Sequence, residues 1–178
     1  MNTGPQYVEG RYVAERRRNP LVQTHFGGRI LSAAMLPWFT LLPPKGCGVL
    51  TTTGRKTCKA RRRCVRAIRR GDKVFLVAIG GEFNRWLKNI RADPNVRLRI
   101  RGGTYHGVAR DVRDADERAE AKAAYCEDVN PFDYLENRAH RKGRPTREKI
   151  VELHRAWFEG GVPLVVELRD LVPPRSFV

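Results

Sequence analysis

Apolar and polar residues alternate along much of this chain in the pattern of short β-strands. Residues 49–53 are apolar and β-branched, and residues 73–79, KVFLVAI, are almost continuously apolar, which is typical of buried strands. Residues 62–68 form a further strand candidate, and the turn at residues 70–72 joins it to the next strand. These segments are therefore predicted to form a β-hairpin.

A second group of strands follows later in the chain. Val96, Leu98 and Ile100 alternate with arginines, so one face of this strand is predicted to be buried and the other to be basic. Residues 104–112 and 163–168 have the composition of two more strands. Because tight turns join sequential strands, the sheet should be antiparallel, and closing on itself would remove its exposed edges. We expect a mainly β protein, a small barrel of about six antiparallel strands with three to four flanking helices.

Helical patterns lie between and after these strands. A short helix is predicted at residues 29–35, ended by Pro37. Asn84 is a candidate N-cap for the helix RWLKNIRAD, and Asp114 with Glu117 three residues later is a capping signature. The last predicted helix places its apolar residues on one side: Ile150, Leu153, Trp157 and Phe158.

The charge of the chain is strongly positive and is concentrated in one place. The net charge is +16, from 35 basic and 19 acidic residues, and nine basic residues lie between Arg55 and Arg70 with no acid among them. Such a field attracts nucleic acid, anionic lipid or a small anionic ligand. The four cysteines lack metal-site spacing, so no metal site is predicted. The first fifteen residues lack a leader pattern, and we expect a cytoplasmic protein with free thiols.

The basic stretch begins at a turn that is suited to a small anion. Gly54 permits the turn, Arg55 and Lys56 lie at its mouth, and Arg61 begins the next strand. Clustered basic side chains, the Thr57 hydroxyl and backbone amides could hold phosphates or carboxylates. Duplex binders more often carry basic residues on a helix or among stacking aromatics, and this stretch has no aromatic residue. A solvated basic hairpin is the alternative interpretation.

One apolar stretch raises the question of membrane contact. Residues 30–42, ILSAAMLPWFTLL, are thirteen residues long and contain a proline, so they are too short to span a bilayer. They either pack on the core or lie in a membrane interface, where neighbouring cations would meet anionic headgroups. These cations are Arg16, Arg17, Arg18, Arg29 and Lys45.

Three stretches in this order carry a resemblance to a known family: TTTGRKTCKARRR, GDKVFLVAIGG and WLKNIRADPNVRLRI. Over about residues 49–125 the chain resembles the deazaflavin-dependent nitroreductase family, whose members are split β-barrel (FMN-binding-like) oxidoreductases that use coenzyme F420. The resemblance implies a split β-barrel and an F420-dependent enzyme of the nitroreductase or quinone reductase kind. It also implies hydride transfer to a flat electron-poor acceptor, namely a quinone, an activated alkene or a nitroaromatic.

The resemblance also implies roles for particular residues. Positions that match the motifs are expected to bind the coenzyme: Arg55, Lys56, Thr57, Arg61, Ala78, Ile79, Gly80, Gly81, Trp86 and Asn89. The cations would hold phosphate and glutamate carboxylates, and the glycines would let the backbone approach the ring. Tyr125 and Tyr134 are expected to supply the proton, and Trp38 and Phe132 to line the acceptor pocket. Core packing is the alternative for these aromatic residues and for Trp86.

The chain departs from the family pattern in the basic loop and in a charged helical insertion. Cys58 stands where the family has a second loop glycine, and Ala60 stands where it has proline.

The predicted domains are an N-terminal arm with a short helix at residues 1–45 and a barrel domain at residues 46–178. The barrel domain carries a charged helical insertion at about residues 137–161.

Other function classes remain open on the sequence. The same fold could bind FMN, haem or a fatty acid without F420 activity, and fold alone does not separate these. A basic nucleic-acid-binding protein is a further alternative, although we expect no nucleic acid as partner. The expected partner is a small-molecule electron acceptor, and peripheral contact with the inner face of the cell membrane and homodimer formation through an apolar sheet face are both open.

Overall fold

A single antiparallel sheet of seven strands organises residues 25–172, the part of the chain that this computed structural model describes. The strands are β1 Cys47–Thr53, β2 Ala60–Arg66, β3 Ile68–Arg70, β4 Lys73–Ala78, β5 Asn95–Ile100, β6 Gly103–Asp111 and β7 Val162–Leu171. The helices are α1 His25–Leu41, α2 Arg85–Ala92, α3 Ala115–Glu127, α4 Pro131–His140 and α5 Arg147–Gly160, and a 3-10 turn covers Gly81–Phe83.

The sheet is curled because its two edge strands are neighbours in the sequence. The strand order is β2-β1-β5-β6-β7-β4-β3, and Ala67 alone separates the last residue of β2 from the first residue of β3. A one-residue link cannot cross a flat sheet of this width, so the two edges must meet. The resulting half-barrel confirms the predicted split β-barrel. The single strand predicted at residues 62–68 is wrong, because the chain turns at Ala67 to change edges.

The inside of the curled sheet is apolar and is closed at one end by α2. Leu50 of β1, Leu98 of β5 and Val166 of β7 are fully buried there, with exposed fractions of 0%. The apolar face of α2 completes this core with Trp86, Leu87 and Ile90. The alternation predicted for β5 is confirmed, since Val96, Leu98 and Ile100 are buried.

The outside of the sheet carries a second core beneath α3 and α5. Phe75 and Val165 point outward and pack on Tyr125, Trp157 and Phe158 from these helices. The predicted apolar side of α5 is confirmed, because all four of its named residues are buried. The predicted Asp114 cap of α3 is also confirmed, since its carboxylate accepts a hydrogen bond from the Glu117 amide at 2.9 Å.

Helix α1 is longer than predicted and does not end at Pro37. It continues to Leu41 although proline in a helix interior costs about 3 kcal/mol. Tertiary contacts offset this cost: Phe39 is buried against β1, and Arg99 Nε donates to the Thr40 carbonyl at 3.1 Å. The helix also covers the edge strand β2, where the Cys64 amide donates to Ser32 Oγ at 3.0 Å.

A buried ion pair joins β2 to the helices on the outer face. Arg66 Nη1 lies 2.5 Å from Asp133 Oδ1, with both side chains almost fully buried. Arg66 also donates to the Tyr125 carbonyl at 3.2 Å and to the Asp128 carbonyl. Removing one partner of such a pair leaves an uncompensated buried charge, so this contact locks α4 onto the barrel.

Glu136 lies beside this pair and gives folding a pH dependence. The pKa of Glu136 is raised to about 7, chiefly by burial; the Arg66 charge lowers it, and the Asp133 charge adds to the rise. A carboxyl whose folded pKa is raised favours the folded state when it is protonated. That contribution is complete below the ordinary pKa of 4.5 and is lost as the pH rises through about 7.

We predict that Glu136→Gln makes the protein more stable than wild type at pH 8, by about 2 kcal/mol, and leaves it nearly unchanged at pH 4.5. The amide cannot ionise, so it avoids the cost of burying a charge. Urea unfolding at the two pH values measures the difference, with Glu127→Gln, an exposed carboxylate, as the control. An equal free energy of unfolding for wild type and Glu136→Gln at pH 8 would contradict this account.

Candidate functional site

The basic turn between β1 and β2 is a compact loop with little room for a side chain at its start. The Gly54 amide donates to the Lys59 carbonyl at 2.9 Å, and the Gly54 carbonyl accepts from Thr57 and Cys58 at 3.0 and 2.7 Å. A Cβ on Gly54 would lie 3.0 Å from the Lys59 carbonyl oxygen and 3.1 Å from Thr57 Oγ1. The turn predicted at Gly54 is therefore closed by the backbone itself.

Asn89 fixes this loop to α2. Its side chain is buried, with an exposed fraction of 6%. Its Nδ2 donates to Thr52 Oγ1 at 3.2 Å, and its Oδ1 accepts from the Arg55 amide at 3.3 Å. One buried side chain thus orients both the end of β1 and the first basic residue of the loop.

The cations of the loop have no carboxylate partner in the part of the chain that the structure describes. Arg55, Lys56, Lys59 and Arg61 are exposed, and no ion pair to them occurs within residues 25–172. Arg61 Nη2 donates to Thr57 Oγ1 at 3.2 Å, which draws this guanidinium back over the loop. Like charges held together without acids create a positive potential that favours an anion. An anionic coenzyme fits this arrangement.

The segment from Ala78 to Gly81 lies at the end of the barrel that α2 closes. Ala78 and Trp86 belong to the same interior core. Gly81 is buried and has a φ of 55°, a backbone conformation that favours glycine. The structure therefore brings this segment, Trp86 and Asn89 to one end of the barrel. Trp86 itself packs in the core, as the alternative interpretation expected.

The aromatic residues predicted to line the acceptor pocket or to donate the proton lie in different parts of the fold. Trp38 and Phe132 lie together, with ring centroids 6.0 Å apart, and both contact Phe39. This trio packs where α1 covers the outer face of β1. Tyr134 on α4 is 40% exposed. Tyr125 is fully buried in the outer core, on the opposite face of the sheet from Trp86, and its pKa is raised by burial.

A second polar cluster lies on the outer face of the sheet, and no pattern in the sequence predicted it. Side-chain atoms of Asp133, Glu136 and His154 come within 4.8 Å of one another. Burial lowers the pKa of His154 to about 3, and Arg66 contributes to the lowering, so the imidazole is neutral. The Arg66 guanidinium already neutralises Asp133 and would repel a metal cation. The role of this polar cluster is to stabilise the packing of α4 and α5.

The sequence of the site region assigns the chain to a family. A model of the family described as F420H(2)-dependent quinone reductase matches residues 39–145, more than half of the chain. The chain belongs to this family. The matched segment contains the basic loop, Asn89 and the buried ion pair, whereas α5 and β7 lie beyond it.

Membership confirms the predicted cofactor and the class of reaction. The protein is an F420-dependent oxidoreductase whose cofactor is coenzyme F420. The family description does not extend to the nitroreductase specificity implied by the sequence resemblance.

Solved structures with a similar fold share little sequence with the chain. An F420-H2 dependent reductase (FDR-A) is 19% identical, with a TM-score of 0.44 over 68% of this chain and 94% of that one. The haem storage protein HutZ from Vibrio cholerae is 13% identical, with a TM-score of 0.46 over 77% and 89% of the two chains. A protein described as a domain-swapped dimer is 19% identical, with a TM-score of 0.48 over 78% and 92%.

The predicted arm and the cations that would accompany membrane contact fall mostly outside the described residues. Arg16, Arg17 and Arg18 lie before residue 25, and the side chain of Arg29 is not among those described. Within residues 25–172, no helix has the length and apolar character needed to cross a membrane.

Cys58 provides a test of the loop conformation. It has a φ of 53° and is the one residue other than glycine with a positive φ in residues 25–172. The left-handed conformation costs a side-chain-bearing residue about 1–2 kcal/mol. The family's glycine at this position avoids that cost, so the departure noted in the sequence leaves the loop conformation intact but strained.

We predict that Cys58→Gly raises the free energy of unfolding by about 0.5–1 kcal/mol, which is the relief of strain less the greater freedom of glycine in the unfolded chain. Cys58→Ala is the matched control, because it removes the thiol and keeps Cβ. Thermal and urea unfolding measure both variants. A gain of the same size in Cys58→Ala would show that the thiol, and not the backbone, is responsible.

Proposed function

We propose that the protein binds reduced coenzyme F420 at the basic loop and reduces a quinone. The observation that carries this proposal is the set of unpaired cations on a loop that buried Asn89 holds in place. The description of the family as quinone reductases favours a quinone over the activated alkene and the nitroaromatic, which remain alternative acceptors.

The binding roles follow from the chemistry of each side chain. Arg55, Lys56 and Arg61 are proposed to bind the phosphodiester and the first glutamate carboxylates, because charge-assisted hydrogen bonds are the strongest available to an exposed site. The Lys56 amide has no hydrogen-bond partner within residues 25–172 and adds a neutral donor. The segment Ala78, Ile79, Gly80 and Gly81 is proposed to lie along the ring.

The chemistry that the bound coenzyme supplies is hydride transfer from its ring. The task of the chain is to orient the coenzyme, exclude water and provide a proton, since a quinone that accepts one hydride becomes the quinol monoanion and needs one proton to become the neutral quinol. Tyr134 is proposed as a proton donor together with water. Tyr125 is not retained in this role, because its hydroxyl is buried and has no hydrogen-bond partner among the described residues.

We predict that Arg55→Ala and Lys56→Ala each weaken the binding of F420 about tenfold or more, since a hydrogen bond to a charged group contributes about 1.5–3 kcal/mol. Quenching of tryptophan fluorescence during titration measures the affinity. FMN and duplex DNA are titrated in parallel.

Arg101→Ala is the matched control for this titration. Arg101 is exposed and follows β5, at the end of β5 that lies beside Gly48 and away from the basic loop. An equal loss of affinity in Arg101→Ala would mean that only the net charge matters. Binding of FMN or DNA without binding of F420 would refute the proposed site.

Contact with a membrane surface is proposed as the way this protein reaches a lipid-soluble quinone. Helix α1 and the residue after it expose five large apolar side chains: Ile30, Leu31, Trp38, Leu41 and Leu42. Leu41 and Leu42 are 78% and 69% exposed. Lys45 follows them closely in the chain, and Arg62 contacts α1 through its hydrogen bond to Thr40. An apolar surface bordered by cations suits a bilayer that contains anionic lipids.

We predict that replacing Leu41 and Leu42 together by Asp reduces cosedimentation with anionic vesicles at least tenfold, because each buried leucine contributes about 1.5–3 kcal/mol. The charge-matched control replaces Ala119 and Ala123, two exposed residues of α3, by Asp. Vesicle binding that is unchanged in the Leu41 and Leu42 variant would contradict membrane contact, and loss of a dimer instead would assign the patch to a second copy of the chain.

A further inference from the structure

We infer that α2 extends the coenzyme site, and that Arg85 and Lys88 bind the glutamates of the coenzyme tail beyond those held by the basic loop. This inference rests on the proposed function. It assigns a binding role to two residues for which the family resemblance implied none, and it makes affinity depend on the length of the tail.

The register of α2 places Arg85 beside the loop. Arg85 precedes Asn89 by four residues, and residues at this spacing lie on one face of a helix with their Cβ atoms about 5–6 Å apart. The Asn89 side chain contacts both Thr52 and Arg55. The face of α2 that carries Arg85 is therefore the face nearest to the basic loop.

The packing of α2 prevents the helix from turning this face elsewhere. Trp86, Leu87 and Ile90 are buried in the interior core, with exposed fractions of 9%, 0% and 2%. Arg85 and Lys88 are exposed. The two cations are thus presented to solvent on a rigid element at the same end of the barrel as the loop.

The basic residues of α2 differ in whether they have acidic partners. Arg91 is paired with Glu82 at 2.5 Å and with Asp111 at 3.1 Å. Arg85 and Lys88 make no ion pair or hydrogen bond through their side chains within residues 25–172, and the first turn of α2 contains no acid. A cation in the first turn of a helix is disfavoured by the helix dipole, so Arg85 gains nothing from its local position.

An anion with several charges along a flexible chain would satisfy all these cations together. A single phosphate could not span both the loop and a further turn of helix. Consecutive residues of an extended peptide advance by about 3.3–3.6 Å, so successive glutamates could pass from Arg55 and Lys56 toward Arg85 and Lys88. Each additional carboxylate should add affinity until these cations are paired.

The test compares coenzyme F420 that carries several glutamates with the form that ends before the first glutamate. Binding is measured by tryptophan fluorescence and by equilibrium dialysis at fixed ionic strength, because salt screens exposed charges. We expect the double variant Arg85→Gln and Lys88→Gln to bind the long form about tenfold more weakly than wild type and the form without glutamate equally well.

Arg91→Gln is the matched control, since it removes one charge from the same helix at a residue that already has acidic partners. It should leave the affinity for both forms nearly unchanged. An equal loss for both forms in the double variant, or no loss for the long form, would overturn the inference while leaving the proposed site intact. Failure of the wild-type protein to bind either form would instead refute the proposed function. Circular dichroism confirms that each variant is folded.

Discussion

The link of one residue between β2 and β3 is the constraint on which the rest of the structure depends. Because Ala67 joins the two edge strands, the sheet has to curl until its edges meet. The curl creates the interior that Leu50, Leu98 and Val166 fill. It also leaves one end open, which α2 closes with its apolar face. Only then does Asn89 reach β1 and the basic loop.

The basic stretch of the sequence is not one surface in the folded protein. Neighbouring arginines of β2 point to different places, since side chains alternate across a strand. Arg66 is buried and paired with Asp133. Arg62 Nη2 donates to Thr40 Oγ1 at 2.5 Å and so helps to hold α1. Arg61 lies over the loop. The charge of this stretch is therefore divided among separate places, and only part of it, including Arg55, Lys56 and Arg61, lies at the barrel end that the coenzyme would use.

Local patterns in the sequence predicted the parts of the fold that local physics decides. The alternation in β5 and the Asp114 cap of α3 depend on neighbouring residues, and both are confirmed. The break at Ala67 and the passage of α1 through Pro37 depend on contacts with distant strands, which no local pattern reveals. Helix α4 was missed although its start signal is present, for Pro131 opens the helix and the Asp133 carboxylate accepts from the Asn130 amide at 2.7 Å.

In the site too, some features follow from neighbouring residues in the sequence and others from contacts between distant strands. Composition and turn residues predicted the loop and its cations, because glycine and clustered charge are visible in sequence. The tie through Asn89 and the lack of ion pairs to the loop cations, within the described residues, depend on which strands are adjacent. Burial separates Tyr125 from the barrel end, and Trp38 and Phe132 lie together on the outer face, so the roles of these aromatic residues stay predictions.

Strands β1 and β2 connect the two surfaces on which the proposed function depends. Their inner face and their turn carry the cations of the loop, and their outer face carries α1 with its exposed apolar residues. Thr52 opposes Arg61 in one pair, and Thr51 opposes Arg62 in the next. Because side chains alternate along a strand, consecutive pairs lie on opposite faces of the sheet. The edge strand β2, covered by α1, is the element that separates the two surfaces.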